Sequence, residues 1–114
     1  LKSIVGCHCH GFIHRDIKLE NYMITGEESL VKMIDFGLAA RYRPTESYTE
    51  RVGTYVYQAP ELVSAIDGGS GYSKAIDIWG LGIVFNALLT GKFLLPDSVF
   101  EVGSSCFVSH RKEW

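Results

Sequence analysis

The chain has 114 residues, enough for one small domain, and 46% of them are apolar, so a hydrophobic core can form. A net charge of −2 leaves no basic footprint for nucleic acid. The most apolar window, residues 75–89, is shorter than a bilayer span and carries Asp77 and Asn86, so it reads as a buried helix and no membrane partner is expected.

Three cysteines in no disulfide framework predict free thiols in a reducing, cytoplasmic compartment. The first residues, Leu1-Lys2-Ser3-Ile4, have neither an initiator Met nor a signal-peptide layout, which predicts that the sequence starts inside a longer chain. Leu1, Ile4, Val5 and His8 fall at helical spacing and Gly11 supplies a stop, so residues 1–10 are predicted to be the end of a helix. Cys7-His8-Cys9-His10 contains zinc-ligating types, but adjacent side chains on a helix diverge, and a packed helix end is the better reading.

His14-Arg15-Asp16-Ile17-Lys18-Leu19-Glu20-Asn21 follows, with its charges in no helical or strand period, and reads as a loop. Its residue types suit phosphoryl transfer. Asp16 can accept a proton from an attacking hydroxyl, Lys18 can neutralise a phosphate oxygen, and the Asn21 carbonyl can ligate Mg²⁺, a hard cation that prefers oxygen. Residues 22–24 and 30–34 are predicted strands around a turn at 25–29. That hairpin would hold Asn21 at its entry and Asp35 at its exit, bringing two oxygen ligands together.

Asp35-Phe36-Gly37 ends the hairpin, and residues 38–52 show no period and read as a mobile loop. Ala59-Pro60-Glu61 starts a short helix to about Ala65, since Pro at the first helical position beside an acid is a common start. Gly68-Gly69-Ser70-Gly71 reads as a flexible connector. Ser73 can cap a helix running to about Thr90 and stopped by Gly91. Its apolar residues lie on every face, so it should be central. Asp77 in its first turn needs donors if buried, and the loop at residues 14–21 is a plausible source. After Pro96 no template fits.

Four motifs in this order, His14-Arg15-Asp16 with Asn21, Asp35-Phe36-Gly37, Ala59-Pro60-Glu61 and Asp77-Ile78-Trp79-Gly80-Leu81-Gly82, resemble the eukaryotic protein kinases. The resemblance covers about residues 1–93, a partial kinase domain, with 94–114 an atypical tail. It implies an α+β fold: the catalytic, C-terminal lobe, mainly helical, with a short β-hairpin carrying the metal ligands. Lys18 resembles the serine/threonine class, and the overall texture is similar to calmodulin- and calcium-dependent kinases.

The implied activity is transfer of the ATP γ-phosphate to Ser or Thr hydroxyls of a protein substrate. The implied catalytic residues are Asp16, Lys18 and Thr54, with Thr54 bridging the other two. Asn21 and Asp35 would hold Mg²⁺, and Glu20, Met23 and Ile34 would join them around the nucleotide. His14 and Phe36 would stack, and Asp77 would tie down the His14-Arg15 backbone.

Glu50 stands where many family members carry an activating phosphothreonine, with Arg15 facing it. Two readings stand: a carboxylate partly replacing the phosphate, or a solvated Glu with modification at Thr45, Ser47, Tyr48 or Thr49 instead. Ala87 stands where some relatives carry a substrate-reading acid, and disfavours a basic-directed specificity. The sequence contains no glycine-rich phosphate loop, no strand Lys for the α- and β-phosphates and no helical Glu to pair with it. Glu61 lacks a recognisable Arg partner, Arg111 being in no motif. The chain alone is therefore expected to be close to inactive, and a non-catalytic, truncated kinase-like binding module is the alternative.

Overall fold

The computed structural model describes residues 1–26, 30–66 and 68–94. The turn expected at 25–29 and the tail expected over 94–114 therefore lie largely outside the described residues. Among the described residues the fold is mixed: three α-helices and two small antiparallel sheets.

Helix α1 spans Lys2–Cys9, and Gly11 follows at φ 76°, the left-handed conformation that releases the chain from the helix. Eight residues are too few for a stable isolated helix, so packing must hold it. Ile4, fully buried, supplies that packing, while Val5, expected on the same face, is half exposed. Strand β1, Phe12–Ile13, enters the loop at residues 14–21, which closes in a 3-10 turn at Leu19–Asn21. Strands β2 (Tyr22–Thr25) and β3 (Leu30–Met33) form the expected hairpin, Tyr22 opposite Met33.

Residues 38–52 differ from expectation. Strand β4, Ala40–Arg41, pairs with β1, and the Tyr42 amide donates to the Gly11 carbonyl at 2.7 Å. Two-residue strands carry too little alternation to be seen in a sequence. Further on, Tyr48 bridges to Tyr72, whose amide donates to the Tyr48 carbonyl at 2.9 Å. The glycine connector is part of this contact and is not a slack linker. A Cβ on Gly71, at φ 88°, would collide with the Ser47 hydroxyl, so glycine is what allows the two backbones to meet.

Helix α2 spans Pro60–Ile66 and α3 spans Ala75–Thr90, ending on Gly91 at φ 69°. Ser73 takes the expected capping role, its hydroxyl accepting the Ala75 amide at 3.3 Å. Two apolar clusters form the core. Ile13, Ala59, Leu62, Ala65, Tyr72 and Ile76 make one; Ile4, Ile17, Tyr57, Leu81, Ile83 and Val84 make the other, and Trp79 packs against both.

Only one face of α3 is buried. Ile78, Phe85, Leu88 and Leu89 are exposed, and among the described residues nothing covers them. The all-round apolar pattern foresaw a central helix; the described chain supplies half of its cover.

Leu62 and Ile24 contrast a core and a surface position, 2% and 74% exposed. Leu62→Ala should cost about 2–5 kcal/mol of unfolding free energy. Ile24→Ala should change it by less than about 0.5 kcal/mol. Urea unfolding of the two variants checks both, and equal losses would place the core wrongly.

Candidate active site

The site is built on one buried carboxylate. Asp77 is 1% exposed, in the first turn of α3. Its Oδ2 accepts the His14 amide at 2.8 Å and its Oδ1 the Arg15 amide at 2.9 Å. His8 Nε2 lies 2.8 Å from the same Oδ2; a carboxylate only accepts, so His8 carries its proton on that nitrogen. Presenting both amides to one carboxylate turns Arg15 to φ 68°, a conformation that costs a non-glycine residue about 1–2 kcal/mol. His10 turns back on its own helix, its Nδ1 standing 2.7 Å from the Gly6 carbonyl.

The next residue, Asp16, is brought into a closed arrangement with Lys18 and Thr54. Its Oδ1 accepts the Thr54 amide at 2.9 Å and the Thr54 hydroxyl at 2.8 Å. Its Oδ2 pairs with Lys18 Nζ at 2.8 Å, and Lys18 Nζ also donates to the Thr54 hydroxyl at 2.9 Å. Burial alone would raise the Asp16 carboxyl, but the hydrogen bonds from Lys18 and Thr54 outweigh it and hold the group below the usual carboxylate range. The hydrogen bond to Asp16 holds the Lys18 ammonium above its usual range despite burial, with smaller attractions to Asp16, Glu20 and Asp35. Gly53, at φ 82°, lets this approach happen: a Cβ there would collide with the Arg15 carbonyl.

Asn21 is buried and ties the loop to the hairpin. Its Nδ2 donates to the Asp16 carbonyl at 2.8 Å and to Asp16 Oδ2 at 3.3 Å, while its own carbonyl accepts the Ile34 amide at 2.9 Å. The side-chain nitrogen is spent, so Oδ1 is the atom left for a cation. Asp35, at φ 60°, uses Oδ1 to accept the Gly37 amide at 3.1 Å. Both residues offer hard oxygens, the ligand type that Mg²⁺ prefers.

Of the other expected site residues, Glu20 and Met23 are exposed and Ile34 is half-buried. The Ile34 carbonyl lies 3.2 Å from His14 Nε2, and the His14 and Phe36 rings meet edge-on at 4.9 Å. Arg15 Nη1 meets Glu50 Oε2 at 2.5 Å and its Nε donates to the Leu38 carbonyl at 2.7 Å. The ion pair between Arg15 and Glu50 is therefore formed, although the Glu50 side chain is 68% exposed.

Two contributors were not read from the sequence as part of the site. His8 could have been found, since a buried Asp77 demands donors and α1 ends beside it. Tyr72 could not, because a lone Tyr ahead of a helix carries no signal.

The sequence matches the protein kinase domain family over residues 1–109. Among curated proteins it is 45% identical to human cyclin-dependent kinase-like 4 over 96 residues, 84% of this chain and 24% of that protein. It is 35% identical to cyclin-dependent kinase B1-1 of Arabidopsis thaliana over 102 residues, 88% and 32% of the two. It is 37% identical to the rat serine/threonine-protein kinase MAK over 119 residues, the whole of this chain and 18% of the relative. The chain thus spans a third or less of each of these relatives. Their names are cyclin-dependent-kinase and MAK names, and lend nothing to the expected likeness to calcium- and calmodulin-dependent kinases.

Asp77→Asn keeps the shape but faces an amide N–H₂ toward donors. It should lower unfolding free energy by roughly 2–4 kcal/mol, read from urea denaturation, because buried donors lose their acceptor. The Asp16–Lys18 pair sets a pH window. Asp16 is depressed, so its stabilisation is present above its unfolded value near ~3.9 and is lost as pH falls through the lower folded value. Lys18 is raised, so its share is complete below ~10.4 and is lost as pH climbs through the higher folded value. Asp16→Asn should flatten the acid limb of a urea-midpoint profile; an unchanged limb would refute the pairing.

Proposed function

The chain belongs to the protein kinase domain family, and we propose that it is the catalytic, substrate-side part of a serine/threonine protein kinase acting inside the cell. The observation that carries this reading is the closed Asp16–Lys18–Thr54 arrangement, with Asn21 joined to the Asp16 end.

In this reading Asp16 accepts or orients the proton of a substrate Ser or Thr hydroxyl. Its low proton affinity keeps it ionised at neutral pH, and its fixed oxygens keep the acceptor aimed. Lys18 contacts the transferring phosphate, and Thr54 holds both groups in register. Asn21 Oδ1 and Asp35 would hold Mg²⁺, which when bound neutralises charge on the ATP phosphates. Met23, Ile34 and Glu20 line the nucleotide side. The exposure of Met23 and Glu20 fits a pocket whose other wall comes from outside the described residues. Positioning is most of this catalysis, so the 114 residues alone should transfer little phosphate.

The kinase reading is tested by a chimaera. Residues 1–93 replace the matching stretch of human cyclin-dependent kinase-like 4, and transfer of labelled phosphate from Mg-ATP to a Ser/Thr peptide is measured. Transfer is expected, with Asp16→Asn lowering it by on the order of 10²-fold or more. No transfer, with the chimaera folded, favours the non-catalytic binding module. The isolated chain should show no transfer above its own Asp16→Asn control.

Arg15 and Glu50 add a second expectation. A carboxylate already seated on Arg15 partly replaces a phosphate there, so the chimaera should work unphosphorylated and Thr49→Ala should leave it active. A chimaera silent until Thr49 is phosphorylated would overturn this role for Glu50.

A further inference from the structure

Glu50 is not the strongest tie between residues 47–53 and the catalytic loop. The Tyr72 side chain, 4% exposed, packs its ring among Ile13, Ala59, Leu62 and Ile76, just before α3. Its hydroxyl accepts from Arg15 Nη1 at 3.2 Å and donates to the Glu50 carbonyl at 3.1 Å. Its amide donates to the Tyr48 carbonyl at 2.9 Å, and the two rings lie 6.0 Å apart. One residue therefore joins the base of α3, the residue preceding Asp16 and the backbone of the segment that carries Glu50.

We infer that Tyr72 is a positioning residue for the transfer reaction: its buried hydroxyl clamps the Glu50 backbone to Arg15, independently of the charge on the Glu50 side chain. This rests on the kinase reading for what is positioned, but not for the clamp itself. The two ties differ in physics. The Arg15–Glu50 pair ends on an exposed carboxylate, and such pairs are weak and screened by salt. The Tyr72 hydroxyl is itself uncharged and bonds the Arg15 guanidinium and the Glu50 backbone carbonyl in a part-buried place, where screening is smaller and each bond counts. The Gly71 contact with Ser47 supports the same closure from the other side, since any Cβ there would push the segment off.

Tyr72→Phe keeps the ring and removes only the clamp. Site-resolved trypsin cleavage after Arg51, an exposed residue of the same segment, reads its release in the full 114-residue chain. Cleavage after Lys32, outside the segment, serves as the internal control. Tyr72→Phe should speed cleavage after Arg51 by about fivefold or more and raise its salt dependence, because the ion pair then carries a larger share of the hold on the segment, beside the Tyr72–Tyr48 backbone bond and the Gln58–Val52 bond. Glu50→Gln should speed it less than about twofold and remove the salt dependence. A structural defect alone would not alter the Arg15 guanidinium selectively, so its Nε–Hε resonance is the second readout. It should shift in Tyr72→Phe while the Arg41 and Arg43 resonances stay in place. Wild-type cleavage in Tyr72→Phe, a larger effect from Glu50→Gln, or an unmoved Arg15 resonance would overturn the inference. Neither readout needs phosphoryl transfer, so an inactive chimaera and a failed clamp are distinguishable results.

Discussion

A carboxylate buried to 1% exposure is costly unless its oxygens find donors, and Asp77 meets that cost with three groups from two other elements. The bonds to His14 and Arg15 fix the backbone immediately before Asp16. The bond to His8 fastens a helix too short to stand by itself. That one charge is a polar junction of α1, the loop at residues 14–21 and α3, whose apolar contacts are non-directional. Directional bonds to a buried ion are what convert a packed core into a loop of defined geometry.

The remaining polar groups of the site follow from that junction. With the His14-Arg15 backbone pinned, Asp16 projects where Gly53 allows the Thr54 backbone to reach it. Asn21 closes the loop on itself through Asp16 and on the hairpin through Ile34. The loop around Asp16 is therefore held by several hydrogen bonds of its own, so little ordering entropy is left to be lost if something binds there. The hairpin differs: Met23, Ile24, Leu30 and Val31 are exposed apolar side chains on a paired ladder, with surface left to cover.

The sequence made the site legible where function needs particular atoms. Asp16, Lys18, Asn21, Asp35 and Asp77 each stand in a short motif whose residue types follow from their chemistry, and the bonds around Asp16 and Asp77 join residues the motifs had singled out. Long elements were legible as well: α3 has sixteen residues and a left-handed glycine stop. What could not be read was the pairing of residues 38–52. Strand β4 has two residues, and the Tyr48–Tyr72 bridge joins partners 24 apart through backbone atoms that no side-chain pattern encodes. The connector at 68–71 was misjudged for a related reason. Glycines that permit close approach and glycines that permit freedom look alike until the approaching backbone is seen.

Lys18 connects these points to chemistry. It bonds Asp16 and Thr54 at once, and it is the main reason that the Asp16 carboxyl holds its proton weakly despite burial. An ammonium has three donors, so an incoming phosphate oxygen can be met by Lys18 without breaking both bonds. Any anion that draws Lys18 away from Asp16 nevertheless weakens the interaction that keeps the carboxyl low, and so raises its affinity for a proton. The effect runs in the useful direction. On the kinase reading proposed above, the carboxylate would be held ionised before a phosphate arrives and would become the better proton acceptor when one competes for its partner. Thr54 limits how far this can go, because its amide and hydroxyl stay on Oδ1 whatever Lys18 does at Oδ2.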